Sequence, residues 1–235
     1  MERTSTPLKL STTYTNGSTG RIATQHVRDR ARKESRGCIF GDIPEFLDRF
    51  FPVDQLTKGR QTGQTRIQAI MEKLTTKGCF REHDSKWNIP NTTVEKDLYR
   101  PLLRIFSTIN KMCVPRKPNV EWRDIHSTAP GSVHDQLDRP DIAAISRFPR
   151  MVDPGQKAHW HDILVPVEVK GTWHNDDIEQ LLGYVRVMLR EQWNRRFTFG
   201  LLFTARKFQV WLFDRSGAIG STQINFHDVS GDCCN

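Results

Sequence analysis

The chain has no hydrophobic run approaching the ~18 residues of a membrane span, which excludes a helical membrane protein and removes the bilayer from the expected partners. Its first twenty residues, MERTSTPLKLSTTYTNGSTG, have no apolar stretch of the secretory kind. It is also poor in cysteine. The five cysteines, Cys38, Cys79, Cys113, Cys233 and Cys234, show no zinc-ligand spacing, and an odd number with two adjacent does not make a disulfide framework. A reducing compartment, cytosol or nucleus, is expected. No repeat recurs along the sequence.

What is present is positive charge, unevenly placed. The formal net charge is +8 over 235 residues. Residues 1–36 hold eight Lys/Arg and three Asp/Glu, a net of +5, which leaves +3 for the rest. This Ser/Thr-rich segment is expected to be a disordered basic arm. Such an arm either binds nucleic acid through phosphate contacts or is simply solvated. The remainder is long enough for one sizeable core.

Periodicity predicts a helix over 42–51, with Asp42 as N-cap and Pro44 in its first turn, and a second over 64–77 stopped by Gly78. A polar connection follows over 81–92. A longer helix is expected over 94–112, with Leu98, Leu102, Ile105, Phe106 and Ile109 on one face and Pro101 kinking it or delaying its start. Strands are expected over 119–125, 141–146, 163–170, 197–204 and 208–214. The helix at 176–192 carries the apolar stripe Ile178, Leu181, Leu182, Val185, Met188 and Leu189. Strand, helix and strand from 163 to 204 form a βαβ unit, so the sheet is expected to be partly parallel. The expected fold is α/β (α+β): a mixed five-stranded sheet flanked by helices, in the order αβββαββ. The expected division is a basic arm at 1–36, a helical extension at 37–92, the main domain at 93–228 and a tail at 229–235.

Chemistry concentrates between Arg139 and Thr172. Asp141 opens one strand, and Glu168 and Lys170 close another, two apart and therefore on one face. Two carboxylates a few ångströms apart repel by roughly 4 kcal/mol at an effective dielectric near 20. A divalent cation reverses that sign. Mg²⁺, or Mn²⁺ in its place, takes oxygen ligands and keeps several waters, and it lowers the pKa of a bound water. The other reading is a structural ion pair in which Lys170 bridges a carboxylate with no metal. Glu95 is a candidate third ligand, or else the second half of a Thr92-x-x-Glu95 capping box. Gln180 and Tyr184 share a helix face. They either contact a phosphate or orient Lys170, or they are a solvated amide and a half-buried ring. The alternating His159 and His161 lack a third ligand at a useful spacing and read as polar loop.

Pro140-Asp141 and Glu168-Val169-Lys170, in this order of elements, resemble the PD-(D/E)xK nuclease superfamily, and Gln180-Leu-Leu-Gly-Tyr184 resembles the Q-x-x-x-Y motif of its RecB-like branch. That resemblance implies Asp141 and Glu168 as magnesium ligands, with Glu95 as the helix acid. It also implies Lys170 as catalytic lysine, Gln180 and Tyr184 as supports, and DNA or RNA as substrate. A second resemblance covers roughly residues 40–228. The segments WHDILVPVEVKG and QLLGYVRVMLREQWNRRFTFGLLFTARKFQVWLFDRSGAIGS, with DIPEFLDRFFP and the Glu95–Tyr99 helix upstream, look like the region before the kinase core of fungal-type protein kinases. It implies an accessory module, truncated or stand-alone, whose partner is a kinase lobe or another protein. The kinase motifs themselves do not occur: there is no Gly-rich loop with Val-Ala-Ile-Lys, no His-Arg-Asp and no Asp-Phe-Gly. No phosphotransfer by this chain alone is expected.

Overall fold

A computed structural model describes residues 33, 37–56, 63–113, 119–132, 138–147, 157–174 and 177–227. The basic arm at 1–36, apart from Lys33, and the tail at 229–235 lie outside the described residues, as do Asp176 and most of the loop after Arg147.

The chain builds one large mixed sheet with helices on both faces. In order the elements are β1 (Ile39–Ile43), α1 (Phe46–Phe50), α2 (Gly63–Thr76), β2 (Phe80–Arg81), β3 (Lys86–Trp87), α3 (Glu95–Cys113), β4 (Val120–Asp124), β5 (Ile142–Ser146), β6 (Ile163–Val169), α4 (Ile178–Glu191), β7 (Phe197–Phe203), β8 (Lys207–Asp214), β9 (Ala218–Ser221) and β10 (Ile224–Asn225). The expected αβββαββ series is α3 to β8, each element within two residues of its predicted ends. The sheet runs β1-β9-β8-β7-β6-β5-β4, with β10 beside β8. It therefore holds eight strands rather than five. The three extra ones are short and lack a clean alternation. β1 reads i-e-e-e-i in burial, because it is an edge strand paired only with β9.

That pairing adds strands to the stretch 37–92, expected as a helical extension with a polar connection. β1 takes Asp42 and Ile43, the first two residues of the expected 42–51 helix, and β2 and β3 form a small hairpin at the start of the expected polar connection. Asp42 does not cap: it has a left-handed φ of 55°, and the residue before α1 is Glu45, with no side-chain cap. Gly78 does end α2, at φ 64°, a conformation glycine adopts without a Cβ penalty. α3 starts at Glu95, so Pro101 does not delay it and lies inside the helix.

β6 and β7 are parallel, and α4 crosses between them. The two sheet faces carry separate cores. α4 lays Ile178, Leu181, Val185 and Met188 against Ala143, Ile145, Leu202 and Phe213. α3 lays Leu98, Leu102 and Ile105 against Ile142, Val167 and Val169 on the other face. Both faces of β5 and of most of β6 are thus covered, as the apolar runs 142–145 and 163–167 require. Pro166 lacks a donor for a central strand. β7 pairs with β6 only from Val167 onward, and β5 shifts register beside it, between Ala144 and Ile145. No described helix is long and apolar enough to cross a membrane.

Candidate functional site: a carboxylate cleft at the sheet end

β5 begins where β6 ends, because the two are antiparallel with Ile142 opposite Val167. Asp141, one residue before β5, donates its backbone N–H to the Val167 carbonyl at 3.2 Å. Its side chain reaches across, and Oδ2 accepts the Val169 N–H at 2.8 Å. Local strand pairing alone therefore places Asp141 beside Glu168. The first turns of α3 and α4 close the sides. The resulting cleft, about 570 Å³, is lined by Glu95 and Tyr99 from α3, by Gln180 and Tyr184 from α4, and by Asp138, Arg139, Asp141, Glu168, Lys170 and His126. All six residues singled out in the sequence, Glu95, Asp141, Glu168, Lys170, Gln180 and Tyr184, line this one cavity.

Each carboxylate is held by a tyrosine from a different layer. The Tyr99 hydroxyl donates to Asp141 Oδ1 at 2.6 Å. The Tyr184 hydroxyl donates to Glu168 Oε2 at 2.8 Å. The chain has three tyrosines, and two of them face this cleft. Lys170 Nζ meets Glu168 Oε1 at 2.5 Å. The Lys170 backbone N–H is tied to the Phe203 carbonyl at 2.8 Å, which fixes where the side chain departs, one residue past β6. Both readings of the lysine are therefore compatible with the geometry. It forms the ion pair, and it does so facing the cleft.

Glu168 is only 2 % exposed. Burial, reinforced by the Asp141 charge, pushes its carboxyl up to about 7 against the pull of Lys170 and Tyr184. Asp141 is also raised, by burial first, though Tyr99 and the Val169 N–H oppose this. For Lys170 burial disfavours the charge, but Glu168, Glu95 and Asp141 together outweigh it and the group is raised. Both tyrosines are raised, by burial and by the carboxylates they serve, so they act as donors throughout the ordinary pH range.

Glu95 is released from the capping role by what its partner does. The Thr92 hydroxyl accepts the Val94 N–H at 3.0 Å, but the Thr92 N–H goes to the Pro90 carbonyl at 3.1 Å. The reciprocal half of the capping box is not made, and Glu95 lines the cleft. Sequence reasoning missed Tyr99, His126, Asp138 and Arg139 as cleft residues. Tyr99 was findable: it lies four residues after Glu95, on the same helix face. His126 was not, since it enters from a loop after β4, where its ring packs 4.9 Å from Tyr99 and pairs with Asp124. His159 and His161 lie elsewhere. They stack on each other at 3.9 Å, and His161 pairs with Asp162. Among the described residues, no group of three or more His, Cys, Asp or Glu side chains is gathered closely enough to hold a metal by itself.

The family described as Fungal protein kinase matches residues 139–232. The chain is similar to it over that stretch. The match begins two residues before Asp141 and takes in Glu168, Lys170, Gln180, Tyr184 and all strands from β5 to β10, but not α3 with Glu95 and Tyr99. No curated protein and no solved structure matches the chain.

Proposed function

We propose that this chain is an accessory module of the fungal-kinase type, built on a PD-(D/E)xK nuclease-like core at 93–228, and that it transfers no phosphoryl group by itself. The observation that carries this reading is the kinase-family match, which takes in β5, β6 and α4, three of the elements that line the cleft. The sequence offers none of the loops that position ATP and a hydroxyl acceptor. The purified chain incubated with ATP and general kinase substrates should give no phosphotransfer. Deleting the corresponding module from a complete kinase homologue should impair its folding, partner binding or activity; a deletion that changes none of these rejects the role.

A second reading is favoured by one specific observation, the convergence of Asp141, Glu168, Lys170, Gln180 and Tyr184 on an open cleft. This is metal-dependent hydrolysis of DNA or RNA phosphodiesters. The donor set suits Mg²⁺ or Mn²⁺ better than zinc: it offers two carboxylates, with Glu95 nearby, and leaves room for the waters such ions retain. Each oxygen of Asp141 and Glu168 has one hydrogen-bond partner, so each keeps acceptor capacity for a cation. Mg²⁺ bound there would polarise a phosphate oxygen and lower the pKa of a water. Tyr99 and Tyr184 hold the two carboxylates in fixed rotamers, as outer partners of metal ligands do. Lys170 balances Glu168 when no cation is present. With Glu168 engaged elsewhere, its ammonium is left facing the cleft, where it can neutralise charge growing on phosphate oxygens. The first turns of α3 and α4 add the positive ends of two helix dipoles. Purified protein should cut single- or double-stranded DNA or RNA with Mg²⁺ or Mn²⁺, and Lys170→Ala should abolish cutting with the fold retained. No cleavage across all four substrates rejects this reading.

A further inference from the structure

The acidic cleft has a basic neighbour. A second cavity, about 450 Å³, is lined by Arg81, Lys86, Trp87, Asn91, Arg206 and His227, together with Ile89 and Asn225. No carboxylate lines it among the described residues. Arg81 is already paired with Asp84 at 2.9 Å, and Asp84 also lies in the field of Lys86, so the cations offered to a ligand are Arg206 and, shared with Asp84, Lys86. Arg206 is oriented: its Nε donates to Asn91 Oδ1 at 3.1 Å, which leaves both terminal amino groups for an anion. Trp87 is held by Phe80, ring centroids 5.3 Å apart at 65°, and is only half-buried. An aromatic ring beside two exposed cations is the arrangement by which proteins seat a single nucleic-acid strand, with the base stacked and the phosphates paired.

One short segment links the cavity to the cleft. Asn91 lines one and Glu95 the other, four residues apart on a single segment, a span of at most about 14 Å. Gly171, next to Lys170, backs onto the same segment: a Cβ there would stand 2.0 Å from the Thr93 carbonyl oxygen. Arg206 sits in the turn that follows β7, whose last carbonyl, Phe203, holds the Lys170 N–H.

Resting on the nuclease reading of the cleft, we infer that this basic, tryptophan-bearing cavity is a binding subsite for single-stranded nucleic acid, which carries the strand toward Asp141 and Glu168. A duplex keeps its bases stacked on one another and offers no free face to Trp87, so single strands are the substrate class.

The test is binding without catalysis. The full chain in chelator is titrated with fluorescein-labelled short single-stranded DNA and RNA, and with the duplex of the same sequence, by anisotropy from about 50 to 200 mM salt. Single strands should bind more tightly than duplex. Lys86→Gln combined with Arg206→Gln should weaken single-strand binding at least tenfold and lower the salt slope by about 1.4, roughly 0.7 for each phosphate that is no longer neutralised. Trp87→Ala should weaken it about tenfold with the slope unchanged, and Trp87→Phe should restore most of the affinity. Thermal melts check that each variant is folded, and the Phe and Gln variants keep most of the side-chain bulk should Trp87→Ala unfold the hairpin. Double-variant affinity and slope equal to the wild type, or a phosphopeptide that displaces the strand at equal concentration, overturns the inference. Binding in chelator with no cleavage in Mg²⁺ leaves it standing and defeats the nuclease reading. Cleavage with an unchanged KM in the double variant does the reverse.

Discussion

Asp141 and Glu168 sit at the same end of the sheet, yet the layers around them treat their charges differently. On the α3 side, Asp141 receives a tyrosine hydroxyl and a backbone N–H, both neutral donors, and stays partly open to solvent. On the α4 side, Glu168 receives a tyrosine hydroxyl and a lysine ammonium and is almost wholly buried. The first arrangement fixes a direction, because the backbone N–H cannot move away. The second holds a charge that burial disfavours and an ammonium compensates. Asp141 is thus the rigid member of the pair, and Glu168, the more deeply buried and pushed up to about 7, is the more responsive one, although burial raises both.

The sharpest way to break this contrast is to remove the rigid member. Asp141→Ala should lose any Mg²⁺-induced rise in Tm and lower cleavage by more than about 100-fold, read by thermal shift and gel assay. If the shift survives, Asp141 is not a ligand. Glu168→Gln addresses the responsive member. Glu168 is raised from 4.5 to about 7, so between those values the folded chain holds a proton that the unfolded chain has released. Stability contributed by this group is therefore fully present below about 4.5 and declines as pH rises through about 7. Replacing Glu168 by Gln should raise Tm at pH 8 and change it little at pH 4, with about 3 kcal/mol as the upper limit of the difference. A pH-independent effect contradicts the burial argument.

A smaller effect separates the two tyrosines. Tyr184→Phe leaves Glu168 Oε2 without its donor in a buried place, and should cost about 10- to 100-fold in metal affinity. Tyr99→Phe should cost less, because the Val169 N–H still holds Asp141. Equal effects would mean that the two layers are equivalent. The smallest expected effect is the pH dependence of metal binding itself. A cation must displace the proton from Glu168, so the Mg²⁺-induced shift should grow from pH 6 to pH 8 and level off above about 7. A shift that falls over this range points to a different ligand.

Much of this was legible in the chain. The stripes on α3 and α4 are long and strongly periodic, and the runs at 142–145 and 163–167 are apolar, so both the elements and the burial of β5 and β6 could be read directly. β1, β9 and β10 could not. They are two to five residues long, and their assignment depends on finding an edge to pair with rather than on any pattern of their own. Asp42 shows the same thing: its composition suits an N-cap, but pairing of its strand with β9 decided otherwise.

The residue types of the candidate site were fixed by sequence: an aspartate at the mouth of one strand, Glu-x-Lys at the end of the next, and Gln and Tyr one turn apart on the following helix. Strand geometry requires Glu168 and Lys170 to share a face wherever the strand is placed. Which groups would surround them was decided only by the packing of two helices on opposite faces of the sheet. That packing brings Tyr99 to Asp141 across 42 positions and Tyr184 to Glu168 across 16. It also buries Glu168 deeply enough to lift its carboxyl toward neutrality, since desolvation depends on every layer around a charge and on no single neighbour in the chain.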